Sequence, residues 1–129
     1  MDWGDHPRPI VIHAAEAPPP PGPPTPGMDR RQLVEDDDTW AGWVRTQPGA
    51  GGWHHHGERD SYIYLIKGVM TIEYGPGGGK RVTARAGDFI FNPRRMVHRE
   101  ITEGDAPAEL FVVRRGIGPQ NINVDQPDP

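Results

Sequence analysis

Three consecutive histidines, His54, His55 and His56, sit in the stretch GGWHHHGERDSYIYLIKG, and His98 follows in RMVHREI. Imidazole is the commonest protein ligand for transition metals. In an extended strand successive side chains face opposite ways, so His54 and His56 share one face and His55 takes the other. Two strand rises separate the first pair of Cα atoms by roughly 6.6 Å, close enough for both rings to reach one ion. Two histidines are only half a site, and a solvated strand end is the simpler reading of that pair alone. His98 changes the reading. On its own strand Met96 and Glu100 share its face, which makes Glu100 an acceptor for an imidazole N–H, a general base, or a rim carboxylate paired with Arg94 or Arg99.

Strands must position these groups. The sequence predicts them over residues 40–46, 52–56, 62–67, 69–74, 80–85, 89–91, 96–101 and 108–115. The segments PGAGG, GPGGG, AGD, NPRR and EGDAP punctuate them with turn chemistry. No window of a dozen residues carries a helical period. Eight or so short strands at near-regular spacing point to a sandwich or closed barrel, the eight-strand version being a jelly roll. Upstream, AAEAPPPPGPPTPG (residues 14–27) reads as an extended polyproline-like linker. PIVIH (residues 9–13) reads as a short strand that must pair with a sheet edge of its own or a second subunit. The tail from Gly118 is polar, with NINV at its centre. The expected organisation is an N-terminal arm over 1–30, a barrel over 31–117 and a C-terminal arm over 118–129.

Composition narrows the function. The chain has 129 residues, room for one core, and its 17 glycines and 16 prolines suit short strands joined by tight turns. A net charge of −4 argues against a nucleic-acid surface, which needs a clustered basic face. The acidic run from Glu35 to Asp38 reads as a solvated turn. Without cysteine there is no thiolate nucleophile, disulfide or cysteine-ligated metal. No signal-peptide pattern and no membrane-length apolar run is found, so a cytoplasmic protein is expected. GPGGG lies between two strands and is a hairpin turn, so no phosphate-cradling loop is expected.

The two histidine groups sit in motifs that resemble those of the cupin family. Its first motif runs Gly, five residues, HxH, three or four residues, an acid, about six residues, Gly. Here Gly49, AGGW, His54-His55-His56, GER, Asp60, SYIYLIK and Gly68 follow that order. Its second motif runs Gly, five residues, Pro, one residue, Gly, two residues, His, three residues, Asn. Here it reads Gly87, DFIFN, Pro93, Arg94, Arg95, MV, His98, REI, Thr102, with Arg95 for the glycine and Thr102 for the asparagine. The resemblance spans about residues 33 to 115. It implies an all-β jelly-roll barrel holding a divalent metal (Fe, Mn, Ni or Zn) on His, His, Glu and His.

Carried over by position, His54, His56 and His98 are the histidine ligands and His55 faces away. For the fourth ligand, counting forward from His56 gives Asp60, the residue taken here. Counting back from Gly68 gives Ser61, a poor ligand for a divalent ion, and a bare three-histidine site is the rival. A carboxylate would favour octahedral Fe, Mn or Ni, whereas three imidazoles alone leave a stronger Lewis acid. Tyr62 and Tyr64 share a face with Asp60, and the Tyr64 phenol is a candidate for orienting a substrate oxygen beside Glu100 as base; a core or interface tyrosine is the alternative. Trp40, Trp43 and Trp53 read as core or dimer-contact aromatics. The resemblance implies a metal-dependent enzyme (oxygenase such as a dioxygenase, isomerase, or dehydratase/lyase) acting on a small organic molecule. The rivals are a non-catalytic binding module and a barrel whose proline-rich arm docks a protein partner. A homodimer is expected, with no nucleic-acid or membrane partner.

Overall fold

Side-chain alternation along short extended segments builds two antiparallel sheets in the computed structural model, which describes residues 8–129. The strands are β1 (Met28–Glu35), β2 (Thr39–Thr46), β3 (Gly49–Ala50), β4 (His54–His55), β5 (Asp60–Lys67), β6 (Val69–Tyr74), β7 (Lys80–Arg85), β8 (Phe89–Asn92), β9 (His98–Thr102), β10 (Ala108–Arg115) and β11 (Ile122–Asn123). One sheet has the order β1-β2-β10-β5-β8; the other runs β11-β4-β9-β6-β7, with β3 also paired to β9. Apart from the β1–β2 and β6–β7 hairpins, the paired strands are non-consecutive in the chain, as a jelly-roll barrel requires.

Register stacks the inner face of the first sheet into rows. Leu65, Leu110 and Val44 are cross-strand neighbours, then Ile63, Val112 and Gly42, then Ser61, Arg114 and Trp40. The first two rows are apolar and supply most of that sheet's share of the core, which Met70, Ile72, Ala84 and Ala108 complete. The third row is polar, and Asn92 extends it as the partner of Ser61. Opposite, β9 presents His98, Glu100 and Thr102, paired with Tyr74, Ile72 and Met70. The Thr46 and Thr102 hydroxyls share a buried hydrogen bond of 2.7 Å that ties the two sheets together.

Glycine matters at two close approaches. Gly68, at φ 92°, turns β5 into β6 so near Ala108 that a Cβ would lie 2.9 Å from its Cα. Gly42 leaves room for the Trp40 ring, which a Cβ would meet at 2.1 Å. Arg95, standing where the cupin pattern has glycine, adopts the left-handed φ of 65°. Its backbone N–H donates to Gly57 O at 2.9 Å and its guanidinium pairs with Glu58 at 2.6 Å, contacts that hold an unfavourable conformation in place.

Several expectations change. Residues 9–13 form no strand, and Val11 stays 79% exposed. β1, unanticipated because MDRRQLVE reads as polar, pairs with β2, and Pro18 O and Ala17 O accept from Gln32 N–H and Arg31. The barrel strands therefore begin at Met28. A 3₁₀ turn (Ala14–Glu16) opens the proline-rich segment. The strand expected over 52–56 shortens to β4, β3 forms inside the segment expected as the PGAGG turn, and the strand expected from Met96 begins at His98. The NINV tail pairs as β11 with β4. Asp36 caps the acidic turn, accepting from the backbone N–H groups of Asp38 and Thr39. Among the described residues no helix is long and apolar enough to cross a membrane.

Candidate metal centre

His54 on β4 is the direct cross-strand partner of His98 on β9, and His56 follows two residues on, so three imidazoles meet at one end of the barrel. One ring nitrogen from each lies within 4.8 Å of the other two. Ring centroids are 4.5 Å (His54–His98), 4.9 Å (His54–His56) and 5.2 Å (His56–His98) apart. His55 turns away, as alternation requires, and its Nδ1 accepts from the Gly57 N–H at 3.1 Å.

Backbone carbonyls fix the tautomers. His54 Nδ1 lies 2.8 Å from Gly52 O, His56 Nδ1 2.8 Å from Gln120 O, and His98 Nδ1 2.9 Å from Met96 O. A carbonyl only accepts, so each Nδ1 carries hydrogen and donates, and Nε2 is the nitrogen left for a ligand. Such outer partners orient metal-binding histidines. The donor set therefore fits a divalent transition metal.

Glu100 completes the cluster. Its Oε1 lies 3.0 Å from His98 Nε2 and its Oε2 3.6 Å from His54 Nε2. It meets imidazole nitrogens, while Arg94 bonds Asp60 and Arg99 bonds Glu73, so it is not the surface partner of either arginine that the sequence allowed. Burial holds the His54 imidazole below its ordinary pKa against the pull of Glu100, and burial with the Arg114 charge lowers His56 to about 3. Burial also disfavours a charged His98, but the hydrogen bond and charge of Glu100 outweigh it and raise that pKa. Burial opposes ionisation of Glu100 too, yet His98 and the other histidines bring it down to about 2. Glu100 and His98 thus favour each other's charged forms, whereas burial disfavours charge on His54 and His56.

Asp60 and Tyr64 lie elsewhere. Asp60 begins β5 facing outward, where Arg94 binds it three times: its backbone N–H at 2.8 Å, Nε at 3.3 Å and Nη2 at 3.0 Å. Tyr64 is two positions further along that outer face and 47% exposed, opposite Phe111 and Phe89. Tyr62 pairs with Phe91 there. Sharing a face with Asp60 is what excludes both tyrosines from the interior. Ser61, 1% exposed, takes the inward slot beside the histidines.

A cavity of about 910 Å³ opens between the sheets. His54, His56, Glu100, Ser61 and Arg114 line its polar end; Trp40, Val44, Ile63, Met70, Leu110 and Val112 form an apolar wall; prolines 20, 21, 23 and 26 enclose another side. His98, the third ring of the cluster, is fully buried and set back from the cavity lining. Sequence reasoning passed over Arg114. The signal was present in AELFVVRR, where Leu110, Val112 and Arg114 alternate on one face, but the arginine reads as the strand's solvated end. Trp40 does prove to be core, its ring 5.2 Å below the Arg114 guanidinium and its Nε1–H donating to Gln32 at 2.9 Å.

The barrel and this histidine cluster define a class, and comparison bears it out: the Cupin domain family matches residues 42–114. The chain belongs to the cupin family. Solved structures with the same double-stranded fold share about a fifth of its residues. A Klebsiella pneumoniae protein with a double-stranded beta-helix domain superimposes with TM-score 0.68 at 20% identity, covering 97% of this chain and 98% of its own. KdgF from Halomonas sp. gives TM-score 0.59 at 21% identity, covering 70% and 82%. A Lactobacillus farciminis oxalate decarboxylase in complex with formate gives 0.72 at 18% identity over 92% of this chain, which spans only 36% of that enzyme. No curated protein sequence matches the chain.

Proposed function

We infer that the chain is a metal-dependent enzyme acting on a small organic metabolite, by oxygenase, isomerase or dehydratase/lyase chemistry. His54, His56 and His98 hold a divalent ion, and Glu100 supplies the carboxylate that Asp60, engaged by Arg94, does not. One observation carries this reading: three Nε2 atoms, oriented by backbone carbonyls, converge beside a carboxylate at the closed end of a large cavity. A metal so bound supplies Lewis-acid or, for a redox ion, electron-transfer chemistry. Around it the chain's own groups divide the remaining tasks. The apolar wall excludes water, and the polar row of Ser61 and Arg114 orients a substrate against the cluster.

Metal analysis of protein purified without a histidine tag tests the first half; about one divalent ion per chain is expected, and none in carefully buffered preparations refutes it. Oxygen uptake and product analysis over a substrate panel then separate oxygenation from isomerisation and elimination. A second reading, capture without turnover, draws support from the outward placement of Tyr64, which leaves Glu100 without a phenol partner in the cavity. A ligand that binds and returns unchanged favours it. We also read the outer aromatic face as a homodimer surface: Phe111, Tyr64, Phe89 and Phe91 are all at least 40% exposed on neighbouring strands. Light scattering of Phe111→Lys should then report a monomer.

A further inference from the structure

Buried polar atoms are nearly always hydrogen-bonded, and the exceptions call for a reason. Among the described residues four lack a partner: Asn92 Nδ2, Ser61 Oγ, Arg114 Nε and Gln120 Oε1. They are not scattered. Asn92, Ser61 and Arg114 are successive cross-strand neighbours in one inner row, and Gln120 is the residue whose carbonyl holds His56. Ser61, Arg114 and Gln120 line the polar end of the cavity, and Asn92 adjoins it as the cross-strand partner of Ser61.

Arg114 is the unusual member. A guanidinium stays charged in any protein environment, so burial without an anion is costly. Burial does bring its pKa down to about 10, against the opposing charge of Glu100. Glu100 itself is committed to His98 and His54, and among the described residues no carboxylate forms an ion pair with Arg114. The guanidinium is held in place by the Trp40 ring beneath it, itself 3% exposed and hydrogen-bonded to Gln32. A fixed, unpaired cation at a cavity's polar end, beside a hydroxyl with no partner, is a ready-made receptor for a carboxylate.

We propose that Arg114 and Ser61 form a carboxylate-binding subsite, and that the molecule this cavity takes is a carboxylic acid with an apolar body. The acid group pairs with the Arg114 guanidinium and accepts from the Ser61 hydroxyl. Its body lies along Ile63, Val112, Leu110 and Met70, in a space far larger than a bare carboxylate needs. Ser61 matters by its size as well as its hydroxyl. An acidic side chain at that position would face Arg114 directly across the sheet and neutralise it, whereas serine leaves the cation free for a ligand. The inference deepens the enzymatic reading by naming the substrate's class, and it rests on the cavity being the binding site.

The test compares octanoate with octanamide and phenylacetate with phenylacetamide by calorimetry on the full-length protein, with metal content measured on the same samples. A charge-assisted pair is worth about 1.5–3 kcal/mol, so each acid should bind about tenfold to a hundredfold more tightly than its amide. Arg114→Gln should bring acid and amide to near parity by weakening the acid far more than the amide, and Ser61→Ala should weaken the acid severalfold. After chelation of the metal the wild-type preference for acid should persist, because it resides in Arg114; a preference lost with the metal assigns the carboxylate to the ion and overturns the subsite. Equal affinity of acid and amide on the wild-type protein overturns it without any variant. Protein that lacks metal but still prefers the acid refutes the metal reading alone, so the two failures are distinguishable.

Discussion

Gly42→Ala adds one methyl group at a position where the backbone is unstrained and the obstacle is a single side chain. The new Cβ would lie 2.1, 2.7 and 2.9 Å from three carbons of the Trp40 ring. Carbon atoms pack best at about 3.5–4.0 Å, so the ring must retreat by about 1.5 Å. Retreat would carry it into the cavity it lines and away from the groups that anchor it. The ring is 3% exposed, its Nε1–H is anchored on Gln32 at 2.9 Å, and the Arg114 guanidinium lies over its other side. Overpacking of this kind costs about 1–3 kcal/mol, and losing the indole hydrogen bond adds about 1 kcal/mol. For 129 residues the unfolding entropy near the midpoint is about 0.27 kcal/mol/K, so a loss of about 2–4 kcal/mol lowers Tm by about 7–15 °C. The measurement is a thermal melt with near-ultraviolet circular dichroism, which reports the tryptophan packing separately. A Tm drop below about 3 °C would refute the argument, because it would mean that Trp40 is not wedged between Gly42 and Arg114. Since Trp40 supports Arg114, the same variant should also weaken the acid preference of the cavity.

His98→Ala should abolish stoichiometric metal, whereas His55→Ala, on the opposite face, should leave it intact; equal loss in inductively coupled plasma analysis of both defeats the alternating-face argument. Glu100→Gln should lower metal affinity by at least about tenfold in a competition titration with a chromophoric chelator, while Asp60→Asn should leave it within about twofold, because the Asp60 carboxylate already belongs to Arg94. The reverse ranking restores Asp60 as the ligand. Arg94 holds the Asp60 carboxyl below its usual range, so this pair's contribution is present above the ordinary carboxylate pKa and is lost as pH falls through the lowered folded-state value. Melting curves from neutral to acid pH should fall less steeply for Asp60→Asn than for wild type, and parallel curves would mean the pair adds nothing.

Spacing along the chain fixed what a period of two can fix. His54 and His56 fall on one face, His55 on the other, and the eight main strands lie within a few residues of their expected places. The failures share one physical cause: contacts made by residues far apart in sequence. β1 carries Arg30, Arg31 and Gln32, which read as solvent-facing, yet Gln32 anchors the Trp40 indole and Arg31 reaches Ala17. PIVIH has the better strand composition, yet the contacts along β1 are made by residues 17 and 18 and not by it. Propensity names what can extend; the available partner decides what does.

The fourth carboxylate is where this ambiguity bears on chemistry. Forward and backward counts disagreed by one residue, and in a strand one residue is the difference between inside and outside. The backward count was right about direction: Ser61 is inward and Asp60 outward. Chemistry argued for Asp60 because serine is a poor ligand for a divalent ion, and that argument assumed the carboxylate must come from β5. The structure brings one from β9 instead, two residues beyond His98, where the same alternation that places His98 inside also places Glu100. If that carboxylate serves as the ligand, the β5 position is released from the task. It carries a serine next to a half-buried arginine whose Nε has no partner, an arrangement that a glutamate there would cancel. Ser61→Glu therefore separates the two roles. If Glu100 is the ligand, the substitution should leave one metal per chain and abolish the acid-over-amide preference, because the new carboxylate occupies Arg114. If the ligand position on β5 is still needed, metal affinity should instead rise by tenfold or more on the order of magnitude of a gained ligand-shell contact, and Glu100→Gln in that background should cost nothing.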